Sequence, residues 1–353
     1  MTSPSARDDC DVSVIIVNWN NAGDLAECLG CLRRQSWRDF EIIIVDNGST
    51  DGSGERVRKD YPEACLIALP ANVGFGAGNN IGFRQAKGRY IALLNNDAFP
   101  QPEWLERMCQ ALDDHPEVGF CAGKILQYPR TELVDAAGDT LSIFGKGLKV
   151  GWGQRDEGQY DTPRLVFGAC AAAAIYRRTM LEDIGLFDED FSPANLEDAD
   201  LSFRAQLAGY RCLYVPQAVV HHRVSATLKH ASVQSFYLHN RNNEYVFWKN
   251  MPWPLLLTLA PLRAMYVLSA LVYHAAAGRG GPFLRAKWDA WRRLPSTWKK
   301  RRAIQKRRQV SARYILSMLD KGLWSVRPLG LYSKTIQPEK DQAESISTAT
   351  QQH

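Results

Sequence analysis

The stretch EIIIVDNGSTDGS, residues 41–53, decides the fold. After Glu41 comes an unbroken β-branched run, Ile42 to Val45, of a length suited to a buried strand. Asp46, Asn47 and Gly48 then supply the residue types that favour a turn. Asp46 is therefore expected at the strand's carboxyl end, the edge that borders the ligand crevice in open α/β sheets. The same arrangement recurs on both sides. VSVIIVNWN at 12–20 sets Asn18 and Asn20 after one strand, and YIALLNNDAFP at 90–100 sets Asn95, Asn96 and Asp97 after another. Separation along the chain does not prevent these clusters from converging on one ligand.

Between the strands the period changes. Leu25, Cys28, Leu29 and Leu32 form a helical stripe, 65–69 reads as a strand, 81–87 as a helix and 104–112 as an amphipathic helix. Strand and helix in alternation predict a doubly wound, mostly parallel α/β sheet of nucleotide-binding type. Farther along, 138–158 is glycine-rich and irregular, a place suited to recognising a second substrate. Residues 166–176 and 212–215 read as strands. A helix starts near Glu197 and ends by Gly209, and Asn195 as its N-cap would put Asp198 at the third helical position, where the dipole favours a carboxylate. No internal repeat is visible.

The turn GFGAGNN at 74–80 has glycines spaced to bring backbone close to a diphosphate. Asn79 stands where the dinucleotide fingerprint needs its third glycine, and no acid closes a following strand about twenty residues later, so hydride transfer is a poor reading.

With 353 residues, 45% of them hydrophobic and 23% charged, the chain can bury a large core and is not a disordered protein. Residues 1–11 are polar and acidic, so no cleavable secretory signal is drawn there and the catalytic part is expected in the cytoplasm. The eight cysteines are scattered through apolar patterns and read as buried thiols rather than a disulfide framework. Cys28 and Cys31 form a C-x-x-C on one helical face with no second pair to complete a zinc site.

Charge is uneven. Between Arg285 and Arg308 lie eleven Lys or Arg residues against one acid, Asp289, which leaves the rest of the chain net acidic despite an overall +5. Just before this segment, 254–277 is apolar but interrupted by Pro261, Arg263 and His274. A charge inside a spanning helix is costly, so this helix is expected to lie in the membrane interface, with a single transmembrane segment as the alternative. Trp288, Trp291 and Trp298 interleaved with the cations suit lipid headgroups at a cytoplasmic leaflet, and no nucleic-acid motif accompanies them. The resulting division is a flexible 1–10, a catalytic 11–250, an apolar and basic helical region 251–333, and a disordered polar tail 334–353.

Taken with NVGFGAGNNIGF at 72–83, NLEDADLSFRAQLAGY at 195–210 and VVHH at 219–222, the motifs at 12–20, 41–53 and 90–100 resemble the family 2 inverting glycosyltransferases, which have a GT-A fold. The resemblance runs from residue 12 to about 250, and its wording is most similar to rhamnosyltransferase-type enzymes of cell-surface polysaccharide. It implies transfer of a sugar, L-rhamnose from dTDP-rhamnose, from a nucleotide-diphospho-sugar to a lipid-linked or polysaccharide acceptor at the inner face of the cell membrane.

By that resemblance Asp46, Asn47, Asn18 and Asn20 shape the donor pocket with Gly76, Asn79, Asn80 and Asn96. Arg241 contacts the diphosphate. Asp97 is the last acid of the family's DXD motif and holds Mg2+ or Mn2+, with His221, or less well His222, as a further ligand. Here Asn95 replaces the motif's first acid, which weakens the expected dependence on metal. Asp198 takes the acceptor proton and Glu197 supports it. Two other readings are a degenerate sugar-nucleotide-binding protein of the same fold and a nucleotidyltransferase. The latter lacks its loop, since Asn18-Trp19-Asn20-Asn21 offers neither glycines nor cations.

Overall fold

In the computed structural model, residues 10–223 and 232–322 are described. The N-terminus expected to be flexible, apart from Cys10, and the tail 334–353 lie outside them. β1 (Val12–Asn18), α1 (Ala22–Arg33), β2 (Phe40–Asp46), α2 (Ser53–Asp60), β3 (Cys65–Ala68), α3 (Phe75–Gln85) and β4 (Tyr90–Leu94) alternate in order. Their strands lie parallel in the order β3-β2-β1-β4. Val12, Val14 and Ile16 of β1 pack under Leu25, Cys28, Leu29 and Leu32 of α1, the two periods burying one common face. On the other face α3 approaches so closely that a Cβ on Gly82 would stand 2.5 Å from Ile15 Cγ2. The helix starts at Phe75 rather than near 81 because its first turns are glycine and asparagine, which carry no apolar stripe to read.

The chain continues through β5 (Ala98–Pro100), α4 (Trp104–Asp114), β6 (Val118–Gln127), β7 (Val134–Ala136), β8 (Asp139–Leu141), β9 (Gly147–Lys149), β10 (Arg164–Val166), β11 (Ala173–Arg177), α5 (Arg178–Ile184), α6 (Glu197–Leu207) and β12 (Arg211–His222). β11 is inserted antiparallel between β4 and β6, and β12 runs parallel to β6. β1 to β4, β6 and β12 therefore point one way, giving a mixed α/β architecture with a mostly parallel central sheet.

Several local expectations are corrected. Residues 166–176 are not one strand: between β10 and β11 the small residues from Gly168 to Ala172 run beneath α6, where a Cβ on Gly168 would meet Ser202 Oγ at 2.6 Å. The strand expected over 212–215 extends to His222 through a register shift between Val215 and Val219. Part of the glycine-rich stretch forms a hairpin of β8 and β9. Cys65, on edge strand β3, is exposed rather than buried.

Helices α7 (Val233–Asn250), α8 (Trp253–Ala276), α9 (Gly280–Arg292), α10 (Leu294–Lys306) and α11 (Ala312–Met318) follow the sheet. α7 is tied to α6 by the fully buried Asp200, which meets Arg204 at 2.9 Å, Lys249 at 2.7 Å and Asn250 Nδ2 at 2.7 Å. α8 is long and apolar enough to cross a membrane by length and composition. One of its faces is nonetheless fixed to the body: Arg263 is buried, lies 3.9 Å over the Phe247 ring and pairs with Glu244 at 2.7 Å.

Candidate active site

Asn18 and Asp46 close their strands directly opposite each other in the parallel register. Asn18 Nδ2 donates to Ser53 Oγ at 2.9 Å and to Ser49 Oγ at 3.2 Å, while its Oδ1 accepts from Asn96 Nδ2 at 2.8 Å. Asp46 Oδ1 accepts from Ser49 N at 3.2 Å. The carboxyl ends of β1 and β2 and the turn after β4 thus meet in one buried polar row.

Other residues expected to touch the donor brace the walls around this row. Asn20, at φ 50°, accepts from Thr50 N at 2.7 Å. Asn47 accepts from Val73 N at 2.9 Å and donates to Gly74 O at 3.3 Å. Asn79 donates back along its own helix to Phe75 O at 3.0 Å. Asn80 binds Phe187 on both sides, donating to its carbonyl and accepting from its N–H, each at 3.0 Å. A Cβ on Gly76 would lie 3.3 Å from Phe187 Cβ, so Gly76 permits that same contact. Arg241 donates to Ser192 O at 2.7 Å and rests on the rings of Tyr237 and Tyr245, which commits it to the turn before α6.

Asp97 is buried in the turn after β4, and Arg223 N donates to its carbonyl at 2.9 Å. His222, not His221, faces it: His222 Nε2 lies 3.3 Å from Asp97 Oδ1. His221 takes the opposite side of β12 by strand alternation and is half-buried there. Behind His222, Nδ1 sits 2.9 Å from Asp135 Oδ2, and both Asp135 oxygens accept from Lys149 Nζ at 3.0 Å. Burial opposes both charges of the His222–Asp135 pair, but mutual attraction wins. His222 is pushed up to about 9, and Asp135 is held well below the ordinary carboxylate range by Lys149 and His222.

This donor set fits a divalent cation. Asn95 Oδ1 is a buried oxygen without a hydrogen-bond donor, Asp97 Oδ1 is buried facing His222 Nε2, and Asp135 fixes the ring so that a cation taking the place of the Nε2 proton would meet all three. A carboxylate, an amide oxygen and one imidazole nitrogen suit Mn2+ better than Mg2+.

Asp198 lies across a two-residue segment from this cluster. Ala171 N donates to Asp198 Oδ2 at 3.2 Å, and the next residue, Ala172, accepts through its carbonyl from Asn95 N at 2.9 Å. The helix cap differs from expectation: the N-cap is Leu196 at φ 66°, following Asn195 at φ 84°, so Asp198 is the second helical residue. Two successive non-glycine residues in the left-handed region cost of order 1–3 kcal/mol each and persist only where the surroundings hold them. Asn242, fully buried on α7, holds them by donating to Phe191 O at 3.2 Å, Ala194 O at 3.1 Å and Asn195 O at 2.6 Å.

Asp139 and Cys170 share Asp198's surroundings, their ligand atoms lying within 4.8 Å of one another. Burial raises the Asp198 carboxyl against the pull of the Ala171 and Ala199 amides, and it raises Asp139 well above its usual range, aided by the charge of Asp198. The Cys170 thiol is pushed up by burial as well, which makes it a poor ligand for a hard cation. Glu197 is pushed up to about 8, by burial first and then by Asp198.

That shift has a consequence for stability. A carboxyl ordinarily near 4.5 and raised to about 8 stays protonated in the fold at neutral pH, so its contribution is complete below about 4.5 and lost as pH climbs to about 8. Glu197→Gln is expected to remove a few kcal/mol of that pH dependence. Melting temperatures of parent and variant at about pH 5 and about pH 9 check it. The gap between the two pH values should shrink in the variant, and an unchanged gap would refute the assignment.

Residues 13–185 match the family model for glycosyl transferase family 2. That stretch is similar to glycosyl transferase family 2. The match stops before Glu197 and Asp198, so these acids come from the part that follows the matched residues. The chain is 30% identical over 240 residues to an uncharacterised protein of Sinorhizobium fredii, covering 62% of this chain and 25% of that one. It is 25% identical over 237 residues to the N-acetylglucosaminyl-diphospho-decaprenol L-rhamnosyltransferase of Mycobacterium tuberculosis, covering 61% of this chain and 76% of that one. Among solved structures, that of GalNAc-T7 with UDP, GalNAc and Mn2+ superposes with a TM-score of 0.55 at 15% identity, covering 69% of this chain and 48% of that one. That likeness is one of fold.

Asp135, Asp139, Lys149 and Asn242 were not legible as site residues. Asp135 is a single acid inside the apolar run Val134-Asp135-Ala136-Ala137, which is the one signal the sequence offered for it.

Proposed function

We propose that this chain is an inverting glycosyltransferase that moves L-rhamnose from dTDP-rhamnose to a lipid-linked glycan acceptor in cell-surface polysaccharide synthesis. The observation that carries the reading is the two-residue segment Ala171-Ala172, whose first N–H donates to Asp198 and whose second carbonyl accepts from Asn95 N in the turn that holds Asp97. A base and a diphosphate-facing cluster are thereby held on either side of one rigid strip. Asn18, Asp46 and Asn96 hold the nucleotide end of the donor. Asp97 and His222 would hold Mn2+ or Mg2+, which when bound neutralises charge on the departing nucleoside diphosphate. Asp198 takes the proton of the acceptor hydroxyl, its raised affinity for protons suiting it to a base near neutral pH. Protonated Glu197 beside it adds no competing charge. Attack from the face opposite the leaving diphosphate inverts the anomeric centre.

The sugar and the lipid-linked acceptor are supported by the name of the mycobacterial relative at 25% identity. A cytoplasmic location, peripheral on the inner face of the membrane, is supported by α8 and α9. Leu257, Met265, Leu268 and Val272 on α8 are from 61% to 71% exposed, while its other face carries the buried Arg263 and His274. A helix fixed along one side by an ion pair and bare along the other fits a position in the plane of the interface better than a span.

Release of nucleoside diphosphate by the purified protein, over a panel of sugar nucleotides with Mn2+, Mg2+ or chelator and with lipid extract as acceptor, tests the reading. Lipid-stimulated release from dTDP-rhamnose is expected. Release from another donor alone would replace the sugar. Silence with every donor, without thermal stabilisation by any, would favour a binding protein of the same fold.

A further inference from the structure

The start of α8 and the outer side of α10 enclose a groove of about 800 Å3. Its walls include Trp253, Trp298, Lys299, Arg301, Arg302 and Arg308, and no carboxylate lines it. Among the described residues no acid pairs with Lys299, Arg302 or Arg308, although neighbouring cations of the same segment are neutralised. Lys300 meets Asp188 at 2.6 Å, Arg293 meets Asp190 at 3.3 Å and Lys287 meets Glu244 at 2.5 Å. Part of the positive charge of the basic segment is thus quenched elsewhere, and the charge at the groove is left standing.

The floor of the groove is built rather than incidental. Arg301 is buried, donates to Met251 O at 2.6 Å and Trp248 O at 3.1 Å, and lies 5.2 Å from the Trp298 ring centre. Burial, together with the charge of Arg308, pushes Arg301 down to about 10, a strain that an anion in the groove would relieve. Trp253 belongs both to this groove and to the bare face of α8, where Leu257, Met265, Leu268 and Val272 follow it at helical spacing. On α9, Leu284, Trp288 and Trp291 repeat the pattern with 54–62% exposure. A cationic groove framed by indoles therefore opens at one end of an apolar face. An anionic headgroup attached to acyl chains has that distribution of chemistry, and a free soluble anion does not use the apolar half.

We infer that the groove between α8 and α10 is a binding site for the phosphate of an anionic membrane lipid, seated while the bare faces of α8 and α9 lie on the acyl region. The inference rests on the proposed membrane docking and adds a defined headgroup site to it.

The full chain is sedimented with vesicles of phosphatidylcholine, or of phosphatidylcholine doped with phosphatidylglycerol. Lys299→Ala with Arg302→Ala is expected to weaken binding to the doped vesicles about thirtyfold, and to leave binding to phosphatidylcholine alone unchanged. Arg292→Ala with Lys306→Ala removes equal charge from exposed positions outside the groove and is expected to produce only a small fraction of that loss. Equal losses from the two pairs would mean that diffuse charge suffices, and would overturn the site. Loss of the doped vesicles' advantage in excess inorganic phosphate would overturn the lipid as its occupant. Met265→Asp with Leu268→Asp tests the docking reading separately: binding to both kinds of vesicle is expected to vanish, and full retention would remove the docking reading whatever the groove variants do.

Discussion

Asp198→Asn is expected to lower turnover by about 10²- to 10⁴-fold, the range a positioned general base supplies, with donor affinity unchanged. The substitution keeps volume and leaves one oxygen, which can accept from either Ala171 N or Ala199 N but not both, while the tie of α6 to α7 through Asp200 is untouched. What disappears is the proton acceptor beside the bound hydroxyl. Nucleoside diphosphate release measured alongside donor-induced thermal stabilisation separates the two effects, and a variant that transfers sugar at the parent rate would remove Asp198 from the reaction. Asp139→Asn makes the informative contrast. Burial and the charge of Asp198 already keep the Asp139 carboxyl protonated, so the substitution changes a neighbour without touching the base and turnover at neutral pH is expected to persist.

The residues that differ in legibility differ in how their positions are set. Asp46 and Asn18 follow uninterrupted β-branched runs, and a run of that kind fixes both the strand and its end, so their meeting at one sheet edge could be read from order alone. His222 could not be chosen over His221 in this way. The register shift between Val215 and Val219 resets which side of β12 each residue takes, and nothing in VVHH records it. The stretch from Gly168 to Ala172 misled because alanine is apolar. It reads as the middle of a strand, yet its small side chains serve to let backbone pass beneath α6 and offer Ala171 N to Asp198. Asp135 and Lys149 sit on short strands in a region whose pairing is distant in sequence, and only the fold shows that one meets the other and that both stand behind His222. Arg241 and Asn80 also hold loops, Arg241 through the Ser192 carbonyl and Asn80 through both backbone groups of Phe187, a structural part their sequence context does not record.

Asp97→Ala is expected to abolish the stimulation of transfer by Mn2+ and to cost at least about a hundredfold in turnover, in line with several kcal/mol of charge stabilisation from a bound cation. The reason is how few carboxylates the turn contains. Asn95 and Asn96 can offer only neutral oxygens, and Asn96 already spends its amide nitrogen on Asn18. The fold should tolerate the change, because the bond from Arg223 N is to the carbonyl of residue 97 and His222 keeps Asp135. Calorimetric titration of Mn2+ gives a readout independent of turnover: binding is expected to be lost in Asp97→Ala and tightened in Asn95→Asp, which puts a second carboxylate beside His222 Nε2, now 3.4 Å from Asn95 Nδ2. Should Asp97→Ala bind Mn2+ as the parent does, the ion is held elsewhere, and the group of Asp139, Cys170 and Asp198 becomes the one to test. In that case Asp198 could not also serve as a free base, and the loss expected from Asp198→Asn would appear in metal affinity rather than in the acid limb of the pH profile.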